Sequence, residues 1–224
     1  MHIGNLDKSH ILSSISCFFG TLFRDIKLDN VLLWEPLEQS KIRIAKLTDF
    51  GLSQPVYELK EGRIRSGCFA GTRFYMAPEI IRLEVFNEFD IEDHMEFNPF
   101  KADIYAMGIS LFEMITKKTP YNFGRNLKKM YEAQKNMKYK IPTWIDRRIT
   151  SKLKNMISKL LEPDPDKRID PFGIWLHPWM LLCYRKHRIH KHPQSPWMKD
   201  KCSSLSITTI KTTKISSKKS FSIR

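Results

Sequence analysis

RDIKLDN, residues Arg24 to Asn30, is the stretch on which the reading of this chain turns. It places a carboxylate (Asp25), an ammonium (Lys27) and a carboxamide (Asn30) at i, i+2 and i+5, just ahead of the apolar run VLLW at 31–34. Taken alone, that is an ordinary charged turn. Twenty-four residues after Asp25, where a second apolar run ends (IRIAKL, 42–47), comes Asp49-Phe50-Gly51. The glycine lets the backbone turn there, so a carboxylate suited to a hard cation can stand beside the first cluster. The two runs, separated by the polar EPLEQSK, alternate as two short strands of a hairpin. From 52 to 78, Pro55, Gly62, Gly67, Gly71 and Pro78 interrupt any period. That predicts a long loop, and long loops inside compact domains tend to carry function. Ala77-Pro78-Glu79 closes it.

Beyond the loop the period becomes helical. Ile104, Met107, Leu111 and Ile115 repeat within 102–116 with further apolar positions between them, which predicts a helix buried nearly all round. Leu153, Met156, Ile157, Leu160 and Leu161 form an amphipathic stripe that ends at Pro163 and Pro165. A last helix is expected over 171–182, with Pro171 in its first turn. Trp144, Trp175 and Trp179 read as core packing.

The whole chain has 224 residues, 42% hydrophobic and 28% charged, which excludes a coiled coil, a collagen or a wholly disordered chain. Of the net charge of +14, residues 183–224 hold +10, from eleven Lys/Arg against Asp200. With many Ser and Thr and few large apolar side chains, that segment reads as a basic, disordered tail. Its RKHRIHKH (185–192) is an electrostatic arm for an anionic partner, nucleic acid or lipid, or a nuclear import signal. Cys183, His187, His190 and His192 lack the paired spacing of a zinc module. The four cysteines are widely spaced, which favours a reducing compartment, cytoplasm or nucleus. The longest uncharged apolar stretch, 11–23, is too short to span a bilayer as a helix.

Together and in this order, RDIKLDN, DFG and APE resemble the catalytic loop, magnesium-binding motif and activation-segment end of the protein kinases. DIYAMG (103–108) is similar to the family's central helix with its buried Asp103, and PDPDKRID brings Arg168, which the resemblance pairs with Glu79. LHPWM (176–180) resembles the calcium/calmodulin-dependent group, and MYEAQKNMKYKIP (130–142) the testis-specific serine/threonine kinases within it. The resemblance covers about 24–182 and implies a mainly α fold, a kinase-like C-terminal lobe with a small β-hairpin. It also implies phosphoryl transfer from Mg-ATP to Ser or Thr of protein substrates. In that reaction Asp25 accepts the acceptor hydroxyl's proton, Lys27 steadies the transferred phosphate, and Asn30 and Asp49 hold magnesium and, through it, ATP. Thr72 belongs to the substrate-reading loop, while Arg24, Asp103 and Arg168 are structural.

Departures from the family pattern set further expectations. No glycine-rich loop, strand lysine or partnering helix glutamate is found, and only Gly4 and Gly20 precede Asp25. The N-lobe that cradles ATP is therefore expected to be missing, with 1–23 an atypical segment and catalysis by this chain alone poor. The competing reading is an inactive, kinase-derived docking or regulatory module. Phe23 stands where the family usually has histidine. Cys68 takes the place of the phosphorylatable activation threonine, and Ser66 is the nearby substitute whose phosphate would pair with Arg24. Between Glu79 and Asp103, Glu84, Glu88, Asp90, Glu92, Asp93 and Glu96 face only Arg82 and Lys101. This segment either favours basic peptides or is simply a solvated loop.

Overall fold

The computed structural model describes residues 21–34, 44–55, 71–86 and 98–187. In chain order these form β1 (Thr21–Leu22), a 3-10 turn (Leu28–Asn30), β2 (Val31–Trp34), β3 (Ile44–Leu47), β4 (Gln54–Pro55) and a second 3-10 turn (Arg73–Tyr75). Seven helices follow: α1 (Pro78–Phe86), α2 (Pro99–Thr116), α3 (Leu127–Lys135), α4 (Thr143–Asp146), α5 (Ser151–Leu160), α6 (Pro171–Leu176) and α7 (Pro178–His187). A mainly helical lobe with a small hairpin is what the apolar periods predict.

The central helix α2 has clear start and stop signals. The Asn98 side chain accepts N–H bonds from Phe100 and Lys101 at 3.0 and 3.3 Å, Pro99 occupies the first turn, and Lys117 closes the helix in the left-handed conformation at φ 64°. Thirteen of its eighteen residues are buried, so it serves as the post around which the lobe is built. Helix α5 starts from Thr150, whose hydroxyl accepts the Leu153 N–H at 3.2 Å. Its stripe of Leu153, Met156, Ile157 and Leu160 is buried in the same cluster as α2. The two helices approach so closely that a Cβ on Gly108 would lie 2.9 Å from Leu160 Cβ and 2.9 Å from Leu161 Cδ2.

The hairpin pairs β2 with β3 in antiparallel register, Val31 opposite Leu47 and Leu33 opposite Ala45. Ala45 is buried, but Leu32, Leu33 and Trp34 are 56%, 42% and 46% exposed, and Lys46 lies 4.0 Å above the Trp34 ring. The hairpin therefore sits on the lobe's edge with an apolar face outward.

Four expectations are corrected. The fold runs through the boundary drawn at Arg24: β1 pairs with β4, and Leu22 and Phe23 are 0% and 2% exposed. The loop expected over 52–78 thus contains a strand and, at its far end, a 3-10 turn. The last helix is two, because Pro178 holds His177 extended at φ −61°, ψ 135°. Trp175 and Trp179 are buried, whereas Trp144 is 60% exposed. The short α4 turns inward only Ile145, and its tryptophan faces water.

Gly108→Val should force α2 and α5 apart and lower the unfolding free energy by about 1–3 kcal/mol. A urea midpoint shifted downward with an unchanged slope would show it.

Candidate active site

The site is built from the central helix outward. Asp103, in the second turn of α2, is half-buried, and its two carboxylate oxygens accept the backbone N–H groups of Phe23 (2.9 Å) and Arg24 (3.0 Å). Those bonds hold Arg24 at φ 68°, a left-handed conformation that non-glycine residues seldom adopt unless their surroundings impose it. Burial pushes the Asp103 carboxyl up to about 6, against the two N–H bonds and the Arg24 charge, which hold it down.

With Arg24 fixed, Asp25 is presented to four donors. Its Oδ1 accepts the Thr72 N–H (2.9 Å) and hydroxyl (2.8 Å); its Oδ2 accepts Lys27 Nζ (2.7 Å) and Asn30 Nδ2 (3.2 Å). Burial raises the Asp25 carboxyl, but the bonds from Lys27 and Thr72 and the Lys27 charge outweigh it and set the group below its ordinary value. Asp25 is therefore a carboxylate at neutral pH, able to accept a proton. Lys27 also donates to the Thr72 hydroxyl at 2.9 Å, so one ammonium bridges the two loops. The Asp25 bond, and then the Asp29 and Asp49 charges, raise its pKa against the desolvation that lowers it.

Asn30 turns its amide N–H groups to the Asp25 carbonyl (2.9 Å) and carboxylate, which leaves its Oδ1 without a hydrogen-bond donor among the described residues. Its backbone carbonyl accepts the Thr48 N–H at 2.9 Å, tying the loop to the residue before Asp49. Asp49 is exposed, sits at φ 62°, and among the described residues accepts only the Gly51 N–H (3.3 Å) through Oδ1. An amide oxygen and a carboxylate with spare lone pairs suit Mg²⁺, which takes one or two protein oxygens and fills its octahedron with water and phosphate oxygens. Among the described residues no cluster of three or more His, Cys, Asp or Glu exists, so no zinc-type cage competes.

The other sequence-stated residues divide. Glu79 and Arg168 lie outside this cluster but form a bidentate pair at 2.7 and 2.9 Å. Arg168 also donates to the carbonyls of Lys101 (2.6 Å), Glu162 (2.8 Å) and Pro163 (3.2 Å), so all five guanidinium N–H groups are used. Glu84 pairs with Arg73 at 3.2 Å, at the surface. Ser66, Cys68, the acidic residues 88–96 and the tail from 188 lie outside the described residues, as do 1–20.

Two contacts escaped the sequence reading, which named Gly71 only as a loop residue and Phe23 only as a departure from the family pattern. Gly71 sits at φ 112°, and a Cβ there would lie 2.4 Å from the Arg24 carbonyl oxygen, so only glycine lets the Thr72 loop reach Asp25. Phe23 meets Phe50 edge to face at 5.1 Å, joining the RDIKLDN and DFG segments through an aromatic contact. The positive φ of Gly71 has no local sequence signature apart from the glycine itself.

Arg168→Met should cost about 3–5 kcal/mol by leaving Glu79 unpaired in a half-buried site, and adding Glu79→Gln should recover much of that, read from urea titrations as a double-mutant cycle. Asp103 gives a pH signature. The folded chain takes up its proton as pH falls through about 6, the unfolded chain only near 3.8. The stability from this group is complete below 3.8 and is lost as pH rises through 6, about 3 kcal/mol in all. Unfolding titrations at pH 4 to 7 should show wild type losing stability relative to Asp103→Asn as pH rises.

The sequence model of the protein kinase domain matches residues 11–180. The chain is 32% identical to mouse protein kinase C delta type over 174 residues, 75% of this chain and 22% of the relative. It is 31% identical to CBL-interacting protein kinase 22 of Oryza sativa subsp. japonica (72% and 32% covered) and 29% identical to mouse testis-specific serine/threonine-protein kinase 1 (77% and 43%). The chain thus spans between about a fifth and two fifths of the length of these relatives. With the matched segment covering most of the chain and both motif loops meeting at one carboxylate, the chain belongs to the protein kinase family.

Proposed function

We propose that this chain carries the acceptor-handling half of a serine/threonine protein kinase site, transferring the γ-phosphoryl group of Mg-ATP to Ser or Thr hydroxyls of proteins. The observation that carries this reading is the Asp25 carboxylate, held ionised and oriented by four donors, with Lys27 bridging it to Thr72. A kinase needs little covalent chemistry from its protein; it needs positioned charge.

Each residue has a task that its geometry supports. Asp25 hydrogen-bonds the acceptor hydroxyl and takes its proton as the new phosphorus–oxygen bond forms. Lys27, already between the Asp25 and Thr72 oxygens, offers its charge to the equatorial oxygens of the phosphoryl group in flight. Asn30 Oδ1 and the Asp49 carboxylate would hold magnesium, which supplies charge neutralisation between the phosphates when bound. Thr72 fixes the substrate-reading loop against the catalytic loop, and Glu79 with Arg168 anchors that loop's far end. A Lys two residues after the catalytic Asp, bonded to a Thr of the acceptor loop, supports Ser/Thr as the acceptor class. The LHPWM ending and the likeness to a testis-specific serine/threonine kinase support the calcium/calmodulin-dependent group as the branch.

The test is transfer of labelled γ-phosphate to a degenerate Ser/Thr peptide pool by the natively expressed protein. Asp25→Asn should lower the rate about 10²- to 10⁴-fold with the fold unchanged by circular dichroism. Equal rates for wild type and Asp25→Asn would assign the signal to a contaminant and end this reading.

A further inference from the structure

Residues 117–154 contain twelve Lys/Arg against only Glu132 and Asp146, a net +10 in 38 residues, which leaves −6 on the remainder of residues 1–182. In sequence, residues 1–182 thus join a strongly basic stretch to a mildly acidic remainder, and the tail is not the chain's only basic element. Eleven of the twelve cations are exposed. Lys154 pairs with Asp146 at 2.6 Å; the other eleven have no carboxylate within ion-pair distance among the described residues.

The fold brings together two of the segments that carry this charge. Tyr139 packs edge to face on Tyr121 at 6.0 Å and on Phe112 of α2 at 5.6 Å. That contact clamps the turn bearing Lys138 and Lys140 against the loop bearing Lys117, Lys118 and Arg125. Phe123, 42% exposed in the same loop, adds an apolar contact point among the cations. Lys117 caps the C-terminus of α2, while Asp103 near its start holds the catalytic loop. Fourteen residues of helix separate them, about 21 Å at 1.5 Å per residue.

We propose that the face bearing these cations docks an acidic segment of the protein whose Ser or Thr enters the cleft. The proposal rests on the kinase reading only for the identity of that protein. An extended chain covers at most about 3.3–3.6 Å per residue, so the acidic segment must lie at least about six residues from the acceptor hydroxyl. Of the polyanions such a face attracts, an acidic protein segment is the one whose delivery the cleft on the same lobe would use. Clustered exposed cations raise the local concentration of an acidic partner within roughly a Debye length, about 8 Å at physiological salt, and speed its encounter.

The test is fluorescence anisotropy of two labelled peptides titrated with the full chain. Each carries one Ser, a ten-residue Gly/Ser spacer, and either six Glu or six Gln. The Glu peptide should bind at least tenfold more tightly at 50 mM salt, and its advantage should collapse at 500 mM. Lys117→Glu/Lys138→Glu/Lys140→Glu should bring the two peptides within twofold of each other. Lowering the tail's net charge from +10 to +6 with Lys211→Gln/Lys214→Gln/Lys218→Gln/Lys219→Gln should leave the preference in place. Loss of the preference in the tail variant but not the face variant would overturn the proposal. So would equal binding of both peptides by wild type, or displacement of the Glu peptide from the face by a stoichiometric amount of oligouridylate or phosphatidylserine vesicles. Binding of the Glu peptide without phosphate transfer to its Ser would uphold the docking face and count against the kinase reading instead.

Discussion

The site depends on one half-buried carboxylate. Asp103 accepts two backbone N–H groups from a loop 79 and 80 residues away in sequence, and that grip sets the conformation of Arg24. The Arg24 carbonyl then lies where only a glycine can pass, so Gly71 brings Thr72 onto Asp25. From Thr72 the chain runs through a single 3-10 turn to Pro78 and Glu79, which Arg168 holds to the segment following α5. The central helix, the catalytic loop, the acceptor loop and the C-terminal helices are thus linked in series by bonds to buried groups. A shift at Asp103 would be felt at Thr72 without any change in the residues between.

Two carboxylates lie in adjacent turns of this network, and their surroundings push them in opposite directions. Asp25 is neutralised by an ammonium and a hydroxyl and stays ionised. Asp103 has two backbone N–H bonds and the Arg24 charge to offset its desolvation, and still rises to about 6. The two surroundings divide the pair: Asp25 is kept ionised below its ordinary value, and Asp103, pushed up, serves as a structural acceptor of two backbone N–H bonds. Tyr75 is raised by burial and by the Glu113 carboxylate that accepts its hydroxyl, which keeps it a neutral donor along the wall of the same cleft.

The helices α2 and α5 and the hairpin were legible because each is set by a local period of apolar residues. The cluster Asp25, Lys27, Asn30 and Asp49 was legible as spaced residue types, since charged and amide groups ahead of strands form a recognisable pattern. What was not legible depends on approach between distant segments. The Phe23–Phe50 contact, the buried Gln134 donating to the Met76 carbonyl at 3.0 Å, and the closeness of Gly71 to Arg24 leave no periodic trace. Trp144 misled because a large aromatic is ordinarily core, and only the shortness of α4 places it in water. The split of the last helix was written in Pro178, read there as part of a motif rather than as a break.

Net charge concealed more than composition did, because a sum over the lobe cancels two regions. Lys117 and Lys118 have a structural reason to be where they are: cations at the C-terminal end of α2 meet the negative end of its dipole, a gain of about 0.3–1 kcal/mol. Asn126, whose side chain accepts the Lys129 N–H at 2.9 Å, likewise starts α3 without help from its lysines. Lys135 in the last turn of α3 and Arg147 at the end of α4 also stand at helix C-termini, but apart from Lys154 none of the cations of 117–154 meets a carboxylate among the described residues. Exposed like charges on adjoining segments repel one another, so they tax the folded lobe slightly instead of holding it. A clustered charge that the fold does not use is accounted for by a partner of opposite sign, and α2 sets how far from the Asp25 carboxylate that partner must sit.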